Sequence, residues 1–275
     1  TWKSVSSLFI FIFFISCNPE AKNRYSSQNQ AVLDSISHWV VNGKNKTLSN
    51  KEREKNLEKA YHSIANLHAD SLKSRYLSEI SLGYLKLKDS ALFRTINKKA
   101  LQWSERTKDS NSLANNHWDL AFFFKTHAVE DSAYYNFSKA QKIYAALKND
   151  YNSGRMLYSM ALVQGDIKDY TGSEISTIRA IELLKPLNKY EQLYQCYNNL
   201  GILSNALEEY DQALAYHNEA LGYLKKVNEK NDWEHTTENN IGVVYENQGQ
   251  HKMAISQFKK VLGHKEIKDT SPVLY

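Results

Sequence analysis

An internal repeat with a period of forty residues constrains this chain more than any other feature. The last copy is the clearest: Asn240-Ile241-Gly242-Val243-Val244-Tyr245, then Gly249, Ala254, Phe258 and Val261. Before it, Asn199-Leu200-Gly201, Tyr210, Ala213, His217 and Ala220 keep the same intervals of 13, 4 and 3 residues between anchor, small residue, ring and small residue. Going back, Met160-Ala161, Tyr170, Ser173, Thr177, Ala180 and then Leu120-Ala121, Phe124, Ala133, Phe137, Ala140 stay in register. A fifth copy, Ile80-Ser81, Tyr84, Phe93, Asn97, Ala100, places a bulky Phe93 where the others have a small residue. The anchors at 80, 120, 160, 200 and 241 step by 40, 40, 40 and 41. Within a copy the apolar residues recur at three and four positions, as in Ala213, Tyr216, Ala220 and Leu224, which predicts helical hairpins. A single hairpin cannot bury such a face alone, so the copies are expected to stack on one another.

Leu-Gly-x-x-Tyr followed by Ala-x-x-x-Phe is the pattern of the tetratricopeptide repeat, and the two C-terminal copies resemble it interval by interval. The resemblance implies an all-α fold, a right-handed α-solenoid of stacked antiparallel helix pairs. The family's usual period is about 34 residues. The excess is a little under two turns at about 3.6 residues per turn, and longer helices in each pair would absorb it. HEAT-type repeats have a similar period, but the Leu-Gly and Ala-ring-Ala positions favour the tetratricopeptide reading.

Composition agrees with helices. Only 3 Pro and 10 Gly stand against 18 Tyr in 275 residues, so strand-and-turn punctuation is sparse. The formal net charge of +5 arises from 35 basic and 30 acidic residues interleaved along the chain, unlike the clustered basic footprint of a nucleic-acid binder.

The domain boundaries follow. Lys3 and an apolar run from Leu8 to Ile15 make residues 1–17 resemble an export signal, too short for a bilayer span of about 20 residues. Phe14-Ile15-Ser16-Cys17 resembles a bacterial lipobox, which marks Cys17 for lipidation and implies a membrane anchor. Residues 18–48 read as a tether with a short leading helix. Ser49-Asn50-Lys51-Glu52 has capping-box spacing and opens a leading hairpin at 49–72. Five repeats occupy 73–268. Ser271-Pro272 reads as the N-cap and first residue of a sixth pair at 269–275, so the chain is expected to be a fragment of a longer one. Cys196, set among Leu193, Tyr194 and Tyr197, is expected to be a small buried hydrophobe.

Residues that would carry chemistry are lacking. The nine histidines form no His-Glu-x-x-His or Cys/His zinc spacing, and there is no glycine-rich phosphate loop or nucleophile elbow. No enzyme activity, metal or cofactor is expected of this segment. The basic pairs Lys98-Lys99, Lys225-Lys226 and Lys259-Lys260 fall on second helices and are expected to be solvated surface, so no nucleic-acid partner is expected.

The resemblance assigns partner recognition to the first helix of each pair, which lines the concave groove in this family. Counting from the anchors, the groove residues are Asn115, Trp118, Phe122 and Lys125, then Arg155, Tyr158 and Asp166. Gln195, Asn198 and Asn205 follow, and then Thr236, Asn239, Glu246 and Asn247. Their amides could bond a peptide backbone while Trp118 and Tyr158 supply anchoring area for a protein or peptide ligand. Such arrays resemble the extracytoplasmic sensory or docking region of bacterial signalling proteins, in which a kinase or DNA-binding output follows. The alternative is a stand-alone lipoprotein adaptor of an envelope assembly.

Overall fold

The computed structural model describes residues 27–67, 70–227 and 233–263. The export-signal segment, Cys17, the first part of the tether and the start of a sixth pair at 269–275 lie outside them. The chain divides into two compact units, one ending at Ala69 and one beginning at Asp70. The described residues contain helices and no strand.

In the first unit, α1 (Ser27–Lys44) packs on α2 (Asn50–Ser63), and a 3-10 turn (Ile64–Asn66) follows. Ser49 caps α2: its hydroxyl accepts from the Glu52 N–H, while the Glu52 carboxylate accepts from the Ser49 N–H at 3.0 Å. Where the sequence suggested a hairpin over 49–72 behind a short helix, α2 instead pairs with the 18-residue α1. The reason is an apolar stripe, Leu33, Ile36 and Val40, that begins only after the polar Ser/Asn/Gln stretch. Fully burying Ile36 in α1 and Leu57 in α2 contributes about 1.5–3 kcal/mol each.

The second unit is an α-solenoid of five pairs. They are α3 (Asp70–Lys86) with α4 (Ser90–Thr107), α5 (Ser110–Thr126) with α6 (Glu130–Ala146), and α7 (Asp150–Asp166) with α8 (Tyr170–Leu184). Next come α9 (Tyr190–Ala206) with α10 (Tyr210–Leu224) and α11 (Trp233–Asn247) with α12 (His251–Gly263). Every anchor position falls in the first helix of a pair.

Eight helices in succession, α3 to α10, start at 20-residue steps from position 70 to position 210. The period of forty is thus twice a half-period made of one helix and a link of two to five residues. The first link shows how: the Asp89 N–H donates to the Tyr84 carbonyl and the Lys88 N–H to the Leu85 carbonyl, both at 3.0 Å. That pair of bonds is the Schellman motif, which satisfies orphan carbonyls at a helix end. It recurs at each connection through α12, except between α10 and α11, where residues 228–232 are not described. Its central residue is left-handed, at φ between 52° and 64° in Lys88, Lys108, Ala128, Lys148, Lys168, Asn188 and Glu208. The residue after it also caps the next helix. Asp89, Asp109, Asn149 and Asp169 each accept from the N–H three residues on.

Inside the last two pairs, the glycine after the anchor lies against the ring of the second helix. A Cβ on Gly201 would come within 2.6 Å of the His217 imidazole, and one on Gly242 within 2.4 Å of the Phe258 ring. Rings therefore sit directly on backbone there, whereas Phe137 packs in the cluster that holds Ala121. The first repeat solves the same problem differently. Asn97 takes the ring position, and the bulk moves one turn earlier to Phe93, whose ring lies 4.9 Å from Phe123 of the next pair. Ala100, Ala140, Ala180 and Ala220, at the same place in successive second helices, are all fully buried.

Candidate functional site

Successive first helices touch one another, α3 with α5, α7 with α9 and α9 with α11, so the side they form is the inner side of the stack. On a helix, positions i, i+3, i+7 and i+10 share one face. In α5 these are Asn115, Trp118, Phe122 and Lys125, and the same offsets in α9 give Gln195, Asn198, Ile202 and Asn205.

The structure brings these residues together across repeats, and in doing so engages many of the polar ones with each other. Ser78 of α3 donates to Asp119 of α5 at 2.8 Å, and Lys125 of α5 pairs with Asp166 of α7 at 2.5 Å. The Asn247 amide of α11 donates to the Asn205 carbonyl oxygen at 3.1 Å. Asn198 is a hub: its Oδ1 accepts from Thr237 at 3.2 Å and Asn240 at 3.3 Å, and lies 3.1 Å from Nδ1 of His217. Asn115 accepts the Tyr144 hydroxyl. Tyr194 completes the ladder, donating to the Trp233 carbonyl at 2.8 Å while its ring stacks on that indole with centroids 5.1 Å apart. Amides expected to meet a peptide backbone thus hold consecutive helices in register.

The aromatic anchors are engaged too. The Arg155 guanidinium lies 4.3 Å from the Trp118 ring centroid and 5.4 Å from that of Tyr151, whose ring also receives Lys189 at 4.9 Å. Tyr158 packs against the core cluster that holds Leu157 and Leu193, and burial pushes its phenol pKa up. Gln195 and Asn239 are half-buried, while Thr236 and Glu246 are exposed.

Beside the exposed polar Thr236 and Glu246, an apolar column runs along this face. Two residues past each anchor stand Leu82, Phe122, Leu162, Ile202 and Val243, one per repeat. Phe122 is 53% exposed and Ile202 47%, and the other three are partly buried. Sequence reasoning found only Phe122 of this column. An in-register alignment of the five copies shows the apolar type at all five positions, but not that solvent reaches them.

Two titratable groups bordering the face are displaced from their ordinary ranges. Burial raises the Asp119 carboxyl to about 7, opposed by the Ser78 hydrogen bond and reinforced by the charge of Glu79. Burial lowers His217 to about 4. Cys196 is a free, fully buried thiol whose pKa burial pushes up. Of the basic pairs, Lys226 lies over the rings of Tyr190 and Tyr223, and Lys260 pairs with the buried Glu238. Among the described residues no group of three or more His, Cys, Asp or Glu side chains converges to hold a metal ion, and no helix is long and apolar enough to cross a membrane.

Comparison with known proteins agrees with this geometry. Residues 191–266, which include α9 to α12, match the tetratricopeptide repeat family model. No curated protein sequence matches the chain. Among solved structures, the fold is similar to aspartyl phosphate phosphatase F from Bacillus subtilis, with a TM-score of 0.70 and 17% identity over 88% of this chain and 72% of that one. It is also similar to BtubC (BKLC) from P. vanneervenii, with a TM-score of 0.63 and 19% identity over 86% of this chain and 90% of that one. A third is a tetratricopeptide repeat protein from Parabacteroides merdae, at 0.61 and 15% over 86% and 80%. Identities this low speak for the fold alone. With five helix pairs in register, the Leu-Gly and Ala-ring-Ala positions at their contacts and a family match over the last two pairs, the second unit has the tetratricopeptide-repeat fold and its last two pairs match that family.

Proposed function

We propose that this chain is a non-enzymatic scaffold whose inner face captures a polypeptide partner, and that it acts as the extracytoplasmic docking region of a bacterial signalling protein. That the fold serves protein–protein interaction belongs to the tetratricopeptide repeat itself. The observation that carries the placement is the apolar column Leu82, Phe122, Leu162, Ile202 and Val243. Soluble monomers keep large contiguous apolar surface scarce, and a line of such side chains between polar neighbours marks an interaction site. The groove residues divide into two roles. The apolar column, with the exposed Thr236 and Glu246, meets the ligand, while Tyr158 packs beneath it against the core. The bonded set, with Asn198, Asn205, Lys125 and Asp166, sets the spacing of the column.

The envelope location rests on the lipobox-like Phe14-Ile15-Ser16-Cys17, with Cys17 acylated and the repeats displayed outside the cytoplasm. Incorporation of labelled palmitate that disappears in Cys17→Ala is the expected result, and incorporation that persists in that variant rejects the anchor. The docking face is tested by placing a photo-crosslinking amino acid at Phe122 or Ile202, and at the exposed second-helix positions Arg179 or Glu219 as controls. Partner adducts should form from the first two positions only. Adducts of equal yield from Arg179 would move the docking face elsewhere.

A further inference from the structure

A second surface lies at the turns that join first to second helices. In residues 127–131, 167–171 and 207–211 these turns carry six carboxylates (Glu130, Asp131, Asp169, Glu208, Glu209 and Asp211) against one lysine, Lys168, and one histidine, His127. The turns at the other end, 107–111, 147–151 and 187–191, carry three of each. Of these two sets of turns, only the first carries an excess of negative charge, on a chain that is net basic. Each acidic turn also exposes one apolar side chain: Val129 is 42% exposed, Ile167 56% and Leu207 44%.

Between the start of α6 and the end of α7 this edge opens into a cavity of about 460 Å³. Tyr134, Tyr135 and Ile167 supply its apolar lining, and Glu130, Asp131 and Asp169 its charge. Asp169 is held in place from two sides. One carboxylate oxygen accepts from the Gly172 N–H and the other from the Gln164 amide, both at 3.0 Å, and the Gln164 oxygen accepts from Ser176 at 2.7 Å. This arrangement needs glycine at 172, because a Cβ there would stand 2.1 Å from Asp169 and 2.2 Å from Gln164. The Tyr135 ring, 57% exposed, already takes the ammonium of Lys139 at 5.4 Å, so its face suits a cation.

We propose that this acidic, apolar edge docks a basic amphipathic segment of a partner protein, with a lysine or arginine in the cavity beside Tyr135 and apolar side chains against Val129, Ile167 and Leu207. Charge complementarity selects this occupant: an anionic membrane or nucleic acid would be repelled by six carboxylates, and a purely apolar segment would leave them desolvated. The surface is separate from the column of Phe122 and Ile202, so either can fail without the other.

The probe is a fluorescein-labelled amphipathic peptide of lysine and leucine, with its glutamate–leucine counterpart as control, titrated by anisotropy against the full chain. The lysine peptide should bind saturably and weaken as salt rises from about 50 mM to about 500 mM. The triple variant Glu130→Gln, Asp131→Asn, Tyr135→Ala should lose at least about tenfold in affinity. Ile167→Lys, a single exposed change, should do the same if the triple variant folds poorly. Phe122→Ala with Ile202→Ala should stay within about twofold of the parent. Equal binding of both peptides, absence of saturable binding, or loss only in the Phe122/Ile202 variant would overturn the proposal. So would a self-associated species in sedimentation that the triple variant abolishes, since the edge would then pair copies of this chain.

Discussion

At the scale of single residues, two buried ionisable groups make stability depend on pH in opposite directions. His217 is 1% exposed, and its folded pKa of about 4 lies below the ordinary 6.5. As pH falls from 6.5 to 4 the unfolded chain binds a proton that the folded chain refuses, so stability drops across that window by up to about 3 kcal/mol. Asp119, raised from 3.8 to about 7, behaves the other way. Its contribution is fully present below pH 3.8 and is lost as pH rises through 7, because the folded chain must then hold a desolvated carboxylate. Chemical denaturation across pH 4 to 8 separates the two. His217→Phe, which places at this position the ring that Phe258 provides in the last repeat, should remove the acid-side loss. It also removes the buried Nε2, which has no hydrogen-bond partner, so the variant should be more stable below pH 6. Asp119→Asn should gain stability relative to the parent above pH 7 and match it near pH 4. A parallel shift at all pH values in either variant would refute these assignments.

At the scale of the helical element, the repeat is a device for making the same turn many times. Seven of its left-handed positions are not glycine, and a left-handed side chain costs about 1–2 kcal/mol. Lys148→Gly should therefore raise the unfolding free energy, by roughly 0.5–1 kcal/mol once the extra unfolded-state freedom of glycine is deducted. Lys148→Pro, which cannot adopt a positive φ, should lower it by more than that. Gly172→Ala should separate Asp169 from Gln164 and cost about 1–3 kcal/mol, since a buried amide loses its partner. The half-period of twenty was present in the sequence as Lys-Asp-Ser at 88–90 and 108–110, Lys-Asn-Asp at 148–150 and Lys-Asp-Tyr at 168–170. It went unread because lysine does not announce a left-handed conformation as glycine does, and the Schellman bonds that hold it there are backbone bonds.

At the scale of the whole molecule, a stack in which each pair touches only its neighbours should not be uniformly stable. Hydrogen exchange should be slowest in α5 to α10, where pairs are covered on both sides. The bonds between first helices couple the repeats unequally. The Lys125–Asp166 pair is half-exposed, so a double-mutant cycle should return no more than about 1 kcal/mol. Asn198→Ala strips Thr237 and Asn240 of a shared acceptor and should cost about 1–3 kcal/mol. Cycle energies of the same size at both sites would show that the ladder is set by geometry rather than by burial.

The sequence by itself determined the solenoid. Small residues at Ala121, Ala161, Gly201 and Gly242, rings at Phe137 and Phe258 and alanines at 140, 180 and 220 are packing requirements, and packing requirements repeat with the fold. It also determined the helices carrying Asn115, Trp118 and Asn198, because position in a helix follows from counting. Only the tertiary structure decided what those side chains do. Asn198 and Asn205 turn to the next repeat, Arg155 covers Trp118, and the apolar column stays uncovered. These outcomes depend on distances between residues some forty positions apart, which the stacking of pairs sets and no local pattern encodes.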